Sequence, residues 1–417
     1  MAHGGHCVAR HEGQVVFVRH TLPGERVVAR VTDGGEGSHY LRADAVEVLE
    51  ASPDRVPVRC PVAGPGGCGG CDWQHVSVAG QQALKAAVVR EQLQRLAHVE
   101  LPVVVEPVAG DHSGLGWRTR VQYAVDDAGR LGFRRHRSHD VVPVQTCPIA
   151  HPQVQAVPVT AARWPGVRGV DVVVGAGPDD QVVLVHGPAD AASRLAPAGT
   201  GVMVDDGPGE QRRLRGRGWV RQNVRAAGWE RTFRVSGAGF WQVHPGAADT
   251  FVGAVLDVLD PAPGERVLDL YAGAGLFAAA LADRVGPTGD VLAVESDERA
   301  VRDARRNLHD LPQVRLVAGR VDHVLRRRPA GEPEKADLVV LDPPRTGARR
   351  AVVREVAARR PRAVAYVACD PAALARDVAL FAEHGYRLQS VRAFDAFPMT
   401  QHVECVAHLV EIISTSR

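Results

Sequence analysis

The 417-residue chain is poor in lysine, aromatics, cysteine and net charge. Of its 50 basic residues only Lys85 and Lys335 are lysines, and Ala, Gly and Val are abundant, which looks like a GC-rich coding bias. The arginine count alone is therefore weak support for a nucleic-acid partner, and the formal charge of +2 selects no class of partner. No apolar run approaches the roughly 20 residues a membrane helix needs. Residues 1–13 carry no apolar block of the secretory kind. The expected compartment is the cytoplasm, with no membrane partner. With 45% hydrophobic and 24% charged residues and no repeat or low-complexity tract, disorder, collagen and coiled coil are excluded. The length suits two or three cores.

What is present is patterned. Gln14–Val18 and Arg26–Val31 read as short strands around a Pro-Gly turn at Pro23 and Gly24, which predicts a small N-terminal β-barrel over residues 1–52. Residues 53–75 hold Pro, Gly and three cysteines with neither helical nor strand period. Residues 76–107 contain an amphipathic helix over Gln81–Leu96, expected to pack on the catalytic domain. Strand-and-turn texture returns over 108–232, clearest at Gln122–Val125, Val141–Val144, Val170–Val174 and Val182–Val185. Over 233–417, apolar strands at Arg266–Leu270, Asp290–Val294, Val314–Val317, Asp337–Leu341 and Ala363–Val367 alternate with helical stretches. That alternation predicts an α/β, doubly wound, Rossmann-like parallel sheet.

At the end of the first of these strands, Tyr271-Ala-Gly-Ala-Gly275 forms a turn through which backbone can approach a ligand. A plain strand-to-helix turn would read the same. Glu295 closes the next strand about twenty residues on, where a carboxylate can accept ribose hydroxyls. This spacing suits a dinucleotide or S-adenosylmethionine equally. Asp342-Pro-Pro-Arg345 closes a later strand and resembles the corresponding turn of S-adenosylmethionine-dependent methyltransferases acting on nucleobases, with Arg345 where the amino-group enzymes usually carry an aromatic.

Seven cysteines occur, and in a cytosolic chain of this size they are read as ligands or catalysts rather than disulfides. Cys369 follows a strand directly and precedes Asp370-Pro371, an N-cap and a proline at the first helical position. The helix dipole there favours a thiolate. Gln401–Val406 reads as a late strand with His402, Glu404 and Val406 on one face; a carboxylate at Glu404 costs free energy unless paired or used. Gln242 stands among aromatics just before the α/β domain. Cys7, in an unstructured-looking start, and Cys405 receive no role. Cys60, Cys68 and Cys71 with the distant Cys147 make four thiols that suit structural zinc or an iron–sulfur cluster equally, with His75 and His151 as substitutes. Radical enzymes also combine a cluster with a methionine-derived cofactor, but with three thiols; Cys147 discriminates. Arg118, Arg120, Arg130, Arg134, Arg135 and Arg137, with Trp117, Tyr123 and Phe133 between them, form a candidate RNA surface. Arg320–Arg328 reads as a solvated helix face.

Together these stretches resemble the RNA uridine carbon-5 methyltransferases, over nearly the whole chain. The resemblance implies a TRAM domain in the N-terminal barrel, and S-adenosyl-L-methionine bound by Gln242, Tyr271, Glu295 and Asp342. It further implies Cys369 as nucleophile, Glu404 as base, and a [4Fe-4S] cluster on Cys60, Cys68, Cys71 and Cys147, a layout of the ribosomal-RNA branch. RNA is the implied partner, 23S ribosomal RNA before transfer RNA, and a monomer is expected. A non-catalytic RNA-binding protein is the alternative from another class. Two positions depart from the family pattern: Asp370 and Leu276 stand where many members have Asn.

Overall fold

The computed structural model describes residues 1–35, 37–110, 113–207, 211–327 and 335–412. Its N-terminal strands β1 (Cys7–His11), β2 (Gln14–Arg19), β3 (Arg26–Asp33) and β4 (Tyr40–Glu50) form one four-stranded sheet in the order β1-β2-β4-β3. The strands expected for the N-terminal barrel make this sheet, and Cys7, expected in an unstructured start, instead begins β1 with its side chain buried. The core is small: Val16, Val18, Ala43 and Ala45, with Val27 and Leu41 at its margin. Such a sheet depends on its neighbours for stability.

The cysteine loop is held by backbone hydrogen bonds within itself and to distant segments. Cys68 N–H donates to Val62 O at 2.7 Å, Gly69 N–H to Arg134 O at 3.0 Å and Trp73 N–H to Met399 O at 3.0 Å. Helix α1 (Val78–Gln92) follows, capped by Ser77 Oγ accepting from Gly80 N–H at 3.0 Å, and runs into a π turn over Leu93–Ala97. Strand β5 (Val105–Pro107) then pairs with a strand of the C-terminal sheet almost 300 residues later. Residues 76–107 thus pack on that sheet and also extend it.

The central seven-stranded sheet contains β6 (Arg120–Val125), β7 (Leu131–Arg134), β8 (Val141–Pro143), β9 (Gly169–Val174), β10 (Gln181–His186), β11 (Gly201–Asp205) and β12 (Arg212–Arg215), in the order β12-β11-β10-β9-β6-β7-β8. Short helices α2 (Pro152–Ala156) and α3 (Ala189–Leu195) accompany it. The hairpin β13 (Trp219–Ala226) and β14 (Trp229–Ser236) stands apart. Its Val224, Trp229, Phe233 and Val235 bury into the core of the C-terminal sheet, so the expected boundary after residue 232 falls inside β14.

The C-terminal sheet contains β15 (Arg266–Leu270), β16 (Asp290–Glu295), β17 (Val314–Ala318), β18 (Leu338–Leu341), β19 (Ala363–Ala368), β20 (Tyr386–Asp395) and β21 (Glu404–Glu411). The order is β17-β16-β15-β18-β19-β21-β20-β5, with β15 to β19 parallel and β21 antiparallel between β19 and β20. Helices α4 (Ala247–Leu259), α5 (Leu276–Val285) and α6 (Glu298–Asn307) accompany it, as do α7 (Val321–Arg327), α8 (Arg349–Ala358) and α9 (Pro371–Glu383). Alternate residues serve opposite faces: Val267 joins one core, Leu268 and Leu270 the other. Both faces are covered, which is why these strands read as continuous apolar runs. Among the described residues no helix is long and apolar enough to cross a membrane.

Candidate active site

Five sites of interest collect at one edge of the C-terminal sheet. Tyr271 follows β15, Glu295 ends β16, Asp342 follows β18 and Cys369 follows β19, all at the carboxyl ends of parallel strands, where open α/β sheets bind ligands. Because β21 runs antiparallel, its first residue lies at that same edge. Ala368 pairs with Cys405, so one step further in register sets Cys369 opposite Glu404. The late strand begins at Glu404 rather than Gln401, which leaves His402 in the loop, 3.5 Å from an Arg345 guanidinium nitrogen.

The electrostatics differ from the sequence expectation at the thiol. Asp370 caps α9, its Oδ1 accepting from Ala373 N–H at 2.7 Å, and Pro371 is the first helical residue. Burial nevertheless pushes the Cys369 thiol up to about 12, and the Glu404, Asp342 and Asp370 carboxylates add to that while Arg345 opposes it. Desolvation and three nearby acids act against the thiolate that the helix dipole favours. Glu404, 4% exposed, is held well above the ordinary carboxylate range, first by burial and then by Asp342, with Arg345 again opposing. Burial and the Glu295 charge raise Asp342 to about 7. Burial lowers His402 to about 4, with Arg345 contributing, so at neutral pH it is an uncharged ring beside Arg345. Arg345 is thus a cationic contributor at the nucleophile; its place after the two prolines was the available signal.

The glycine turn is built for close backbone approach. Tyr271 has φ +68°, and Gly275 at φ +91° caps α5; a Cβ there would stand 2.9 Å from Leu308 Cδ1. Asp269 Oδ2 accepts from Ala278 N–H at 2.7 Å, anchoring the first turn of α5, and burial raises its carboxyl to about 8. Glu295 reaches back to the turn: Oε2 accepts from Gly273 N–H at 2.8 Å, while Oε1 accepts from Ser296 and Asp297 N–H at 2.6 and 2.7 Å. Glu295 therefore shapes the turn. Gln242, 9% exposed, lies between β14 and α4, away from these strand ends in sequence.

The four remaining candidate thiols line one cavity of about 340 Å³: Cys60, Cys68 and Cys71 from the loop and Cys147 from the central domain. Burial raises Cys68 and Cys147 and takes Cys71 to about 12, and neighbouring thiols add to each. Among the described residues no three His, Cys, Asp or Glu side chains are drawn together as a ready ligand set for one ion. His151 caps α2, its Nδ1 accepting from Gln153 N–H at 3.3 Å; His75 lies in a separate cavity that Cys71 also borders.

The expected RNA surface is partly buried. Trp117 and Tyr123 are 3% and 4% exposed, Trp117 stacked on His244 and Tyr123 on Phe133, so neither ring offers a free face to a splayed base. Arg120 turns inward and donates to the Ser236, Gly237 and Gly239 carbonyls, tying β6 to the segment after β14. Arg130 pairs with Asp126. Arg134, Arg135 and Arg137 are exposed. Arg135 and Arg137 line a cleft of about 440 Å³ against the N-terminal sheet, facing Arg19, Arg42, His6 and Phe17, with Asp33, Asp44 and Asp140 also on its walls. In Arg320–Arg328, Arg320 and Arg326 pair with Asp322 on an exposed face; Arg328 lies outside the described residues.

Residues 208–412 match the family described as tRNA (Uracil-5-)-methyltransferase, and residues 2–46 match the TRAM domain. An uncharacterized RNA methyltransferase of Streptomyces avermitilis is 52% identical over 98% of this chain and 96% of its own length. Another, from Bifidobacterium longum, is 38% identical over 97% and 93%. Among solved structures, the Pyrococcus abyssi tRNA (uracil-54, C5)-methyltransferase in complex with S-adenosyl-L-homocysteine shares the fold. Its TM-score is 0.69 and its identity 24%, over 95% of each chain. With these matches and a thiol set opposite a carboxylate at the glycine-turn edge, the chain belongs to the RNA uridine carbon-5 methyltransferase family and carries an N-terminal TRAM domain.

Proposed function

We propose that this enzyme methylates carbon 5 of a uridine in RNA through a covalent bond between Cys369 and carbon 6. The observation that carries the reading is the register that sets Cys369 opposite Glu404 beside the glycine turn. Carbon 5 of uracil is a poor nucleophile, so the Cys369 sulfur adds to carbon 6 and the electron pair of the 5,6 double bond becomes available at carbon 5. S-adenosyl-L-methionine, when bound, supplies the methyl group and a sulfonium charge; Gln242, Tyr271, Glu295 and Asp342 are the residues that would hold it. After carbon 5 is methylated, Glu404 takes its proton, the double bond re-forms, and the sulfur leaves carbon 6. A carboxylate raised by burial is a stronger base for that proton than an exposed one. A positive charge entering the cleft favours ionisation of both Cys369 and Glu404, whose ionised forms burial disfavours. A uridine stacked in RNA cannot meet both groups, so the target base is extruded.

The favoured substrate is 23S ribosomal RNA, with transfer RNA the alternative. The basis is the four-cysteine set, which we assign to a [4Fe-4S] cluster, zinc being the other candidate. The shared cavity and an all-thiol donor set support soft-metal ligation. Such a group on Cys60, Cys68, Cys71 and Cys147 would tie the loop to the central domain. Incubation with methyl-labelled cofactor and separate unmodified ribosomal and transfer RNA, followed by mapping, tests the assignment. Label as 5-methyluridine in 23S RNA is expected, label in transfer RNA alone selects the alternative, and label in neither overturns the function.

A further inference from the structure

A tight turn at residues 2–6 lies against the loop that carries the nucleophile. It closes through Ala2 N–H donating to His6 O at 2.8 Å and Gly5 N–H to Ala2 O at 3.1 Å, with Gly4 and Gly5 at φ +99° and +77°. Trp73 Nε1–H donates to Gly5 O at 3.3 Å, and a Cβ added at Gly5 would meet Gln401 Cβ at 2.8 Å. The turn is therefore seated on the segment that leads into Glu404. Within it, His3 Nε2 stands 3.1 Å from Asp370 Oδ2, while Asp370 Oδ1 is held by the Ala373 N–H. His3, Asp370, Arg345 and His402 border one small cavity with Cys369.

We propose that His3 is a positioning residue for the reaction: paired with Asp370, it fixes the loop after Cys369 and offsets the carboxylate next to the reacting thiol. The inference rests on Cys369 being the nucleophile. An unpaired anion at Asp370 opposes thiolate formation; a His3 imidazolium beside it cancels part of that field. The hydrogen bond that the His3 ring donates to Asp370 raises the His3 ring against the opposing effect of burial, with Arg376 lowering and Glu91 raising it. Burial disfavours the Asp370 carboxylate, but the His3 and Ala373 donors and the Arg376 charge leave it below its ordinary value. Side-chain exposures of 37% and 24% mean that solvent screens the pair, so its effect is moderate.

The test is a double-mutant cycle of His3→Gln and Asp370→Asn, reading the pH profile of protein–RNA adduct formation, with kcat and KM measured separately. His3→Gln should move the ascending limb to higher pH by about 0.5–1 unit, a loss of roughly three- to tenfold at neutral pH, in kcat more than KM. Asp370→Asn should move it the other way, and His3→Gln should then add nothing. Gly5→Ala, which displaces the turn without removing His3, should reproduce the His3→Gln profile. Unmoved profiles in His3→Gln and Gly5→Ala, or equal effects of His3→Gln with Asp and Asn at 370, would overturn the proposal. If His3→Gln does not fold, the acid shift of Asp370→Asn decides alone, and its absence overturns the pairing. Failure of the wild-type protein to form any adduct would instead count against Cys369 as nucleophile.

Discussion

At the sheet edge, Tyr271, Glu295, Asp342 and Cys369 each end or follow a strand whose central residues are fully buried in a two-faced core. In the thiol cavity, Cys60, Cys68 and Cys71 sit on a loop with no strand or helix of its own. The first site is positioned by apolar packing that exists whether or not a ligand is present. The second is positioned by a few backbone bonds, such as Gly69 to Arg134 and Trp73 to Met399, that reach other domains. Rigid scaffolds can hold acids and a thiol in costly protonation states. Beyond Trp73, buried with Leu22 and Val76, the loop has little apolar packing of its own, and under the proposed ligation a bound group would add its binding free energy to these contacts.

The comparison breaks most sharply at Cys147. Cys147→Ala should bleach the visible cluster absorbance and lower unfolding stability by on the order of 3 kcal/mol or more. The sheet edge should still bind S-adenosylmethionine with native affinity by calorimetry. If absorbance and methylation are both unchanged, the thiol cavity is not a structural metal site.

Next in size is the contrast between buried and exposed arginines. Arg120→Ala removes a buried donor from three carbonyls, of which Ser236 O keeps the Gly239 N–H, and should cost about 2–4 kcal/mol in denaturant unfolding. Charge reversal at Arg135 and Arg137 should leave stability within about 0.5 kcal/mol. It should weaken RNA binding roughly tenfold at moderate salt and flatten the salt dependence. Equal loss of RNA affinity from both changes would contradict this division.

The smallest expected effect comes from the buried acids. Asp269 and Asp342 keep protons when folded up to about 8 and about 7, whereas unfolded carboxylates lose theirs near pH 4. The folded state binds more protons, so stability falls as pH rises through that window. Between pH 6.5 and 8, over which an ordinary histidine goes from half-charged to discharged, melting temperature should drop by about 2–4 °C, and less in Asp269→Asn. A flat or rising profile would show that these acids are ionised in the folded protein.

The C-terminal sheet was legible because strands buried on both faces leave unbroken apolar runs, and because Gly273, Asp342-Pro-Pro and Cys369-Asp-Pro mark strand ends. What the sequence hid depends on long-range partners. Trp117, Tyr123 and Arg120 looked like an RNA surface because alternation does not say which face packs on another domain. Cys7 begins a strand because β2 pairs with it, and β5 is a three-residue edge strand paired with β20 and packed beside α1. The helix dipole at Cys369 comes from one element, while the thiol also feels acids from the ends of β18 and β21. His3 lies 367 positions from Asp370 in sequence and carries no local signal; only the folded turn reveals the pair.

The central claim is that Cys369 and Glu404 act on one base from opposite strands. The most direct measurement is denaturing electrophoresis of Glu404→Gln and Cys369→Ala incubated with labelled RNA and S-adenosylmethionine. Glu404→Gln should accumulate a protein–RNA adduct that survives denaturation, and Cys369→Ala should form none and methylate nothing. Methyl transfer at the wild-type rate by Cys369→Ala would contradict the account.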